Sequence, residues 1–449
     1  MLMKQGVIGK LGRVWRGLKW WTVFPLALLL ILGWRGLYLD TTPPATGRPT
    51  ETRVIVAQAS ETPTAAPSPT ITPREPATAT ATGTPTATPT GTPTPPPTST
   101  PSPTHTPVLT ETAPPVVVDA PPATGGGDVH PGIAPAVLAN YFPWYDPETW
   151  STGCTSAGDL PRDGVYQSDD VGVIARHIGQ AQAAGLDGFA VHWLARGDRT
   201  DANFGQVLNQ SPKGFNSTVT FLYHILPGAN QQGVVDALHY VINGYGGHSR
   251  FFRAGGKPVI MFSDMYRVPD ASGARPASYQ DVATAVARWT EIRQAVDPGH
   301  NTWWIAEGLR PDYLAVFDGL YVYKIDHACC PGTFASAPRW AGWVRDREQQ
   351  TGQAKLWVGT VMPGWNDLNS AQAHCADLRV SSAPFARDRA DGAYYAQTWE
   401  AVLLTQPDFV VLHSFNEWVE GSHIEPSTHF GDLYLQLTAQ WVARFKSSR

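Results

Sequence analysis

Two glutamates three residues apart, Glu417 and Glu420, are the residues whose type and spacing most clearly suggest chemistry. Hydrolysis of a glycosidic bond needs one carboxylic acid to protonate the leaving oxygen and a second carboxylate to act as nucleophile or base. Trp418 lies between them and would exclude water from one carboxyl group, raising its pKa as an acid at neutral pH requires. The spacing of three residues alone is also typical of two glutamates that are exposed to solvent on the protein surface.

A metal centre is a competing interpretation of the same segment, because His413, Glu417, Glu420 and His423 could together bind a divalent cation. The sequence contains no HExxH motif or compact triad, so we expect neither a metal nor another cofactor. It also contains no G-x-S-x-G turn, which argues against serine hydrolase chemistry.

The glutamates follow the last of a series of short apolar segments that alternate with amphipathic helical patterns. Eight such units in residues 128–449 predict one (β/α)₈ barrel domain, a TIM barrel. A doubly wound open sheet is the alternative, but the sequence contains no GxGxxG or GxxxxGK[ST] turn. The predicted strands are Ala136–Tyr141, Gly188–His192, Val219–Ile225, Pro258–Phe262, Thr302–Ala306, Gly319–Tyr323, Leu356–Val361 and Phe409–Phe415. The clearest helical patterns are Val171–Ala184, Asp281–Val296, Gly392–Leu404 and Tyr434–Phe445.

Barrel enzymes carry their chemistry at the C-terminal ends of the strands. Here those ends collect aromatic side chains, histidines, carboxylates and amides, a mixture that suits the apolar faces and the hydroxyls of sugars. A single aromatic residue at such a position is more often part of the core, so the prediction depends on the clustering. The residues expected to contact substrate are Tyr145, His192, Trp193, Tyr223, Trp365 and Asn416.

The chain before residue 128 has a different composition. Residues 1–19 contain five Lys or Arg residues and no acid, and the apolar stretch Trp20–Leu39 follows, interrupted by the single charge of Arg35. This pattern predicts a basic cytoplasmic N-terminus and a single-pass signal anchor in the cell membrane, with the C-terminal domain outside the cell. A cleaved signal peptide is the alternative, although the nearest A-x-A pattern, Ala57–Ala59, lies far downstream.

Residues 40–127 are predicted to be a disordered Thr/Pro-rich stalk. Thr41–Pro122 holds 21 of the 40 prolines and no Phe, Trp or Tyr. A segment without large apolar side chains cannot offset the entropy lost on ordering, and prolines favour an extended chain. The stalk would hold the barrel away from the membrane.

The charge balance and the cysteines add weaker constraints. A net charge of −5, with 16% charged residues, excludes a basic nucleic-acid-binding protein. Cys154, Cys329, Cys330 and Cys375 fit an exported protein with one or two disulfides among loops, although adjacent cysteines rarely bridge each other. We expect a monomer.

The segment Ser414–Pro426, SFNEWVEGSHIEP, resembles the signature of glycoside hydrolase family 99, the endo-α-mannosidases and their bacterial relatives. The resemblance extends over about Pro135–Phe445 and includes further segments in the same order, namely Tyr141–Tyr145, Tyr166–Asp170, Ala184–Trp193, Met362–Asp367 and Arg389–Trp399. It implies a (β/α)₈ barrel that needs no metal and cleaves within α-mannosides with retention.

The resemblance also implies roles for individual residues. Glu417 would remove the proton of the sugar's own 2-hydroxyl, which attacks C1 to give a 1,2-anhydro sugar, and Glu420 would be the acid and then the base. Tyr145, His192 and Trp365 would contact sugar. The chain departs from the family at Leu194, where an aromatic residue usually follows His-Trp, and at Val419, where a polar or aromatic residue is usual. These departures bear on the substrate more than on the reaction.

Three functions therefore follow from the sequence. The first is a membrane-tethered extracellular glycoside hydrolase acting on an α-mannoside-type poly- or oligosaccharide. The main alternative is a catalytically inactive barrel that serves as a surface glycan-binding or adhesion module, a function that would not require both glutamates. The third is a hydrolase of the same fold that acts on another α-linked glycan.

Overall fold

A computed structural model of the chain describes residue 130 and residues 132–449, apart from 156–157, 373 and 376–382. The predicted basic N-terminus, signal anchor and stalk, residues 1–127, lie outside the described residues. Among the helices of the described part, none is long and apolar enough to cross a membrane.

Eight parallel strands close into a barrel. They are β1 (Val137–Tyr141), β2 (Gly188–Trp193), β3 (Thr218–Phe221), β4 (Lys257–Phe262), β5 (Trp303–Glu307), β6 (Gly319–Tyr321), β7 (Leu356–Val361) and β8 (Phe409–Leu412). Each strand pairs with its neighbours in chain order, and β8 pairs with β1 to complete the circle. The predicted barrel is confirmed, and the closed sheet rules out the open-sheet alternative.

In the described part of the chain, a short α-helix, Pro147–Ser151, lies in the loop after β1, and seven longer α-helices surround the strands. They are α1 (Val171–Ala183), α2 (Arg199–Gln210), α3 (Gln231–Tyr245), α4 (Val282–Val296), α5 (Ala337–Thr351), α6 (Ala393–Leu403) and α7 (Leu433–Ser447). Between β5 and β6 the described chain forms only a 3₁₀ turn, Pro311–Ala315, because the connection is short. Side chains that accept hydrogen bonds from first-turn amides fix several helix starts, as Asp170 does for α1 and Asp198 for α2.

The alternation of side chains along each strand separates an inner core from an outer one. Leu138, Ala190, Met261 and Ile305 belong to a cluster that fills the barrel interior. A larger cluster lies between the strands and the helices. Because Ala190 points inward on β2, His192 also points into the barrel and Trp193 points toward the helices.

At the N-terminal end of the barrel, aspartates bind the backbone of neighbouring strands in the same way at three places. Asp187, Asp318 and Asp408 each precede a strand, and their carboxylates accept hydrogen bonds from the backbone N–H groups of Val137, Trp304 and Trp357 at 2.8–3.0 Å. These contacts stabilise the end of the barrel opposite the predicted catalytic end.

Three predicted strands are shorter in the structure. The third, sixth and eighth were predicted to reach Ile225, Tyr323 and Phe415, but β3, β6 and β8 end at Phe221, Tyr321 and Leu412. Tyr223–Ile225 form a 3₁₀ turn instead.

A disulfide joins Cys154, in the loop after β1, to Cys375, in the loop after β7. The adjacent Cys329 and Cys330 are also bonded, which the sequence analysis did not expect.

Candidate active site

The loop that follows β8 places Glu417 and Glu420 at the C-terminal mouth of the barrel. Asn416 fixes the start of this loop, because its side chain accepts from the Phe142 N–H at 2.8 Å and donates to the Phe142 carbonyl at 3.0 Å. The Glu417 N–H donates to Ser414 Oγ at 2.8 Å. Both glutamates are only 4% exposed, which is inconsistent with a solvated surface pair.

Glu417 is held by groups of the loops after β1 and β8. The hydroxyl of Tyr145 donates to Glu417 Oε1 at 3.2 Å, and the Val419 N–H donates to the same oxygen at 2.9 Å. Burial, reinforced by the negative charge of Glu420, raises the pKa of the Glu417 carboxyl well above its usual range.

Glu420 is held by residues at the ends of β6 and β8. The hydroxyl of Tyr323 donates to Glu420 Oε2 at 2.9 Å, and His413 Nε2 lies 3.2 Å from the same oxygen. The Asn140 side-chain amide nitrogen lies 3.1 Å from His413 Nδ1, so Nδ1 accepts and Nε2 is the N–H that donates to Glu420. Burial lowers the pKa of His413, which keeps the ring neutral.

His192 forms part of the wall beside the glutamates, as predicted from its place at the end of β2. Its ring lies 4.2 Å from that of Phe142 and 6.0 Å from that of Tyr323, measured between centroids. Burial lowers the pKa of His192 to about 3, so the ring is neutral. Its Nε2 atom is buried and has no partner among the described residues, which leaves it able to bind a hydroxyl group.

Tyr145, Trp365 and Asn416 lie near the glutamates and are almost completely buried. Tyr145 is fully buried and reaches the mouth only through its hydrogen bond to Glu417. Trp365 is 1% exposed, and its ring lies 5.7 Å from the ring of His413. Asn416 is fully buried, with both ends of its amide in hydrogen bonds to protein groups. The structure thus places these three residues around the glutamate pair, and their contact with sugar stays a prediction.

Trp193 and Tyr223 are not brought to the glutamates. The Trp193 indole N–H donates to Asp201 of α2 at 2.9 Å, because alternation on β2 turns this side chain toward the helices. The ring of Tyr223 lies against the first turn of α3, where a Cβ atom at Gly233 would come within 2.7 Å of the Tyr223 hydroxyl. Both predictions depended on the ends of predicted strands: alternation on β2 turns Trp193 away from the barrel interior, and Tyr223 lies in a 3₁₀ turn beyond the end of β3.

Three residues that the sequence analysis did not select for the glycosidase site lie close to the pair. Tyr323 and His413 contact Glu420 directly, and both lie at the C-terminal ends of predicted strands, so their positions were a usable signal. Glu307, at the end of β5, accepts from the Asp264 N–H at 3.0 Å. Burial and then the charge of Asp264 raise the pKa of Glu307 to about 7, with a smaller contribution from Glu420.

The four residues of the metal alternative do not all converge, because His423 is bound to a different carboxylate from the glutamate pair. His423 Nε2 lies 3.1 Å from Asp159 Oδ2, and its ring stacks on Trp418 with centroids 3.8 Å apart. In the described part of the chain, Cys154, His374 and Cys375 form a cluster of potential metal ligands, but the two cysteines are bonded to each other.

Comparison with known proteins agrees with this geometry. The sequence model for glycosyl hydrolase family 99 matches residues 152–447. Curated relatives include the glycoprotein endo-alpha-1,2-mannosidases of Rattus norvegicus, 26% identical over 313 residues, and Mus musculus, 27% identical over 312 residues. Each match covers 64% of this chain and 64% of the relative, so the chain spans less than two thirds of the relatives' length.

Two solved structures of the GH99 endo-alpha-mannosidase from Bacteroides thetaiotaomicron have the same fold. Their TM-scores are 0.56 and 0.55 at 23% and 21% identity, and each alignment covers 70% of this chain and 98% of the other. At this identity the likeness concerns the fold, and the match to the sequence model concerns the family. On that match, which covers more than half of the chain, the protein belongs to glycosyl hydrolase family 99.

Proposed function

We propose that this chain is a retaining glycosidase that cleaves within α-mannoside-type glycans through Glu417 and Glu420. One observation carries the proposal: a single loop places two buried glutamates at the barrel mouth, and each has its own set of hydrogen-bond donors. A pair of carboxyl groups in different environments is the requirement for acid and base work at one site. The names of the curated relatives support mannose as the sugar.

In the first step, Glu417 takes the proton of the sugar 2-hydroxyl while the 2-oxygen attacks C1 to form a 1,2-anhydro sugar. The bond from C1 to the leaving oxygen breaks, and Glu420 supplies the proton that this oxygen needs. In the second step, Glu420 takes a proton from water as the water oxygen attacks C1. The bond from C1 to the 2-oxygen breaks, and Glu417 returns its proton to that oxygen. Because each step inverts the configuration at C1, the product has the same anomeric configuration as the substrate.

The raised pKa of Glu417 suits a base that must remove an alcohol proton, since a stronger base is better matched to a weak acid. These roles require Glu417 to be ionised and Glu420 to be protonated when the sugar is bound. Substrate itself favours these two states: a 2-hydroxyl that donates to Glu417 stabilises its ionised form, and a leaving oxygen that accepts from Glu420 stabilises its protonated form.

We also propose that the enzyme is tethered to the cell membrane with its barrel outside the cell. The sequence pattern of residues 20–39, followed by the Thr/Pro-rich residues 40–127, supports the anchor and the stalk. The disulfide between Cys154 and Cys375 supports export, because such bonds persist in oxidising compartments.

The test is release of reducing ends by the full-length chain on a panel of α-mannans and α-glucans. The control is the double variant Glu417→Gln/Glu420→Gln, which keeps side-chain volume and should release none. Release from α-mannans by the wild type alone supports the proposal. Glycan binding by both proteins without release by either would instead support the inactive glycan-binding module.

A further inference from the structure

A third glutamate, Glu425, lies beneath the active-site loop and has no part in the proposed reaction. It is 4% exposed. The Tyr166 hydroxyl and the Trp418 indole N–H both donate to Glu425 Oε2 at 2.9 Å, and His177 Nε2 lies 3.0 Å from Glu425 Oε1. Burial opposes ionisation, but the charge and hydrogen bond of His177 and the two other donors outweigh it and lower the pKa of Glu425. Glu425 is therefore a buried carboxylate with two hydrogen-bond donors at Oε2 and His177 near Oε1.

The partners of Glu425 include the residues on both sides of Glu417. Trp418 is bound directly. Asn416 is bound through Tyr166, since its side-chain N–H donates to the Tyr166 hydroxyl oxygen at 3.3 Å. The Trp418 backbone N–H in turn donates to the Tyr145 hydroxyl oxygen at 2.9 Å, and this hydroxyl donates to Glu417 at 3.2 Å.

We propose that Glu425 is a positioning residue for the reaction, which fixes Asn416 and Trp418 and so orients the carboxyl group of Glu417 between them. This inference rests on the proposed function, because it concerns the same glutamate pair. The contacts of Glu425 are with protein groups behind the loop, so it acts on the reacting atoms only through Glu417. The hydrogen bonds that hold Glu420, from Tyr323 and His413, come from other elements.

The chain offers a matched control in Asp201, a carboxylate with similar partners far from the loop. It is 5% exposed and accepts from the Trp193 indole N–H at 2.9 Å and from the hydroxyls of Tyr245 and Tyr240 at 2.8 and 3.0 Å. These contacts join β2, α2 and α3. Asp201→Asn therefore disturbs a comparable buried network that has no link to either glutamate among the described contacts.

The experiment compares full-length wild type, Glu425→Gln and Asp201→Asn by kcat, KM and melting temperature on the α-mannan that the wild type cleaves best. The side-chain amide introduced by Glu425→Gln would present N–H groups to donors. We expect kcat of Glu425→Gln to fall by about 10²-fold, the effect of a small misplacement of a catalytic group, with KM little changed. Asp201→Asn should lower the melting temperature and leave kcat unchanged. An unchanged kcat in Glu425→Gln, or an equal loss in Asp201→Asn, overturns the inference.

Tyr166→Phe provides a second route if Glu425→Gln does not fold, because it removes only the hydroxyl that links Asn416 to Glu425. It should lower kcat in the same way but less, and normal turnover by this variant would also overturn the inference. A wild type that cleaves nothing contradicts the proposed function instead. The role of Glu425 is then read from a crystal structure of Tyr166→Phe or Glu425→Gln, in which Glu417 should be displaced. An undisturbed Glu417 in that crystal contradicts positioning.

Discussion

Glu417 and Glu420 lie on one loop and are equally buried, yet different parts of the protein hold them. The donors to Glu417 are Tyr145, from the loop after β1, and the N–H of Val419 in its own loop. The donors to Glu420 are Tyr323 and His413, which follow β6 and β8 directly. One carboxyl group is thus positioned by loops and the other by the barrel.

The surroundings of the two carboxyl groups differ as well. Burial and the charge of Glu420 raise the pKa of Glu417, whereas Tyr323 and His413 both donate to one oxygen of Glu420. The hydrogen-bond donors of the two glutamates are different residues, so each set of donors can be substituted separately. We therefore expect substitutions of the residues that hold Glu417 and of those that hold Glu420 to change the kinetics in different ways.

The largest expected effect is the loss of either carboxyl group. Glu420→Gln removes the proton donor to the leaving oxygen, which typically costs about 10²–10⁴-fold in kcat. That loss should shrink on substrates with an activated leaving group, which needs little protonation. Glu417→Gln should show no such rescue, because every substrate needs assistance for attack at C1. Kinetics on a series of aryl α-mannosides of graded leaving-group pKa measures both.

Two outcomes would break this assignment. If an activated leaving group rescues Glu417→Gln and not Glu420→Gln, the roles are exchanged. Glu417 would then be the acid that protonates the leaving oxygen. Full turnover by both variants would place the active site elsewhere. Unaltered melting temperatures in both are the control for folding.

A smaller effect is expected from removing one hydroxyl on each side. Hydrogen bonds to charged groups contribute about 1.5–3 kcal/mol, so Tyr323→Phe and Tyr145→Phe should each lower kcat about tenfold or more. Tyr323→Phe acts through Glu420, so its loss should also shrink with an activated leaving group. Tyr145→Phe acts through Glu417 and should resist rescue. Identical leaving-group slopes for the two variants would show that the two networks are not separate.

The sequence predicted the barrel and the pair because both depend on local patterns: apolar segments of strand length and a short motif after the last of them. It did not predict which face of β2 is inside. Strands of a closed parallel barrel are buried on both sides, so the alternation that turns His192 inward and Trp193 outward carries no polarity signal. The network of Glu425 depends on residues about 250 positions away along the chain, such as Tyr166, which only the fold brings together.

Glu307, on the Glu420 side of the mouth, predicts a pH effect on stability. Its pKa of about 7 lies above the usual value, so the folded state favours the protonated acid; this stabilisation is complete below about pH 4 and is lost as pH rises through 7. The Glu307→Gln side chain stays neutral at every pH. The melting temperature of this variant should therefore rise relative to that of the wild type as pH rises, by about 2–4 °C at pH 8. A difference that stays constant from pH 4 to pH 8 would contradict the raised pKa.

The pH dependence of the melting-temperature difference caused by Glu307→Gln can also be measured in a Glu420→Gln background. Glu420 contributes to the raised pKa of Glu307, so removing that charge should move the transition to lower pH. Glu425→Gln, on the other side, should leave the Glu307 transition unchanged.

The smallest effect is expected for the Thr/Pro-rich segment, which precedes the barrel in the sequence and holds neither glutamate. Deleting Thr41–Pro122, which has 21 prolines and no Phe, Trp or Tyr, should leave the kcat and the melting temperature of the barrel unchanged. The reason is that a segment without large apolar side chains has little to pack against either glutamate network. Calorimetry and reducing-end release on the deleted and full-length chains provide the check, with Glu420→Gln as the inactive reference. A fall of several degrees, or a change in kcat, would mean that the segment packs on the barrel and supports one of the two sides.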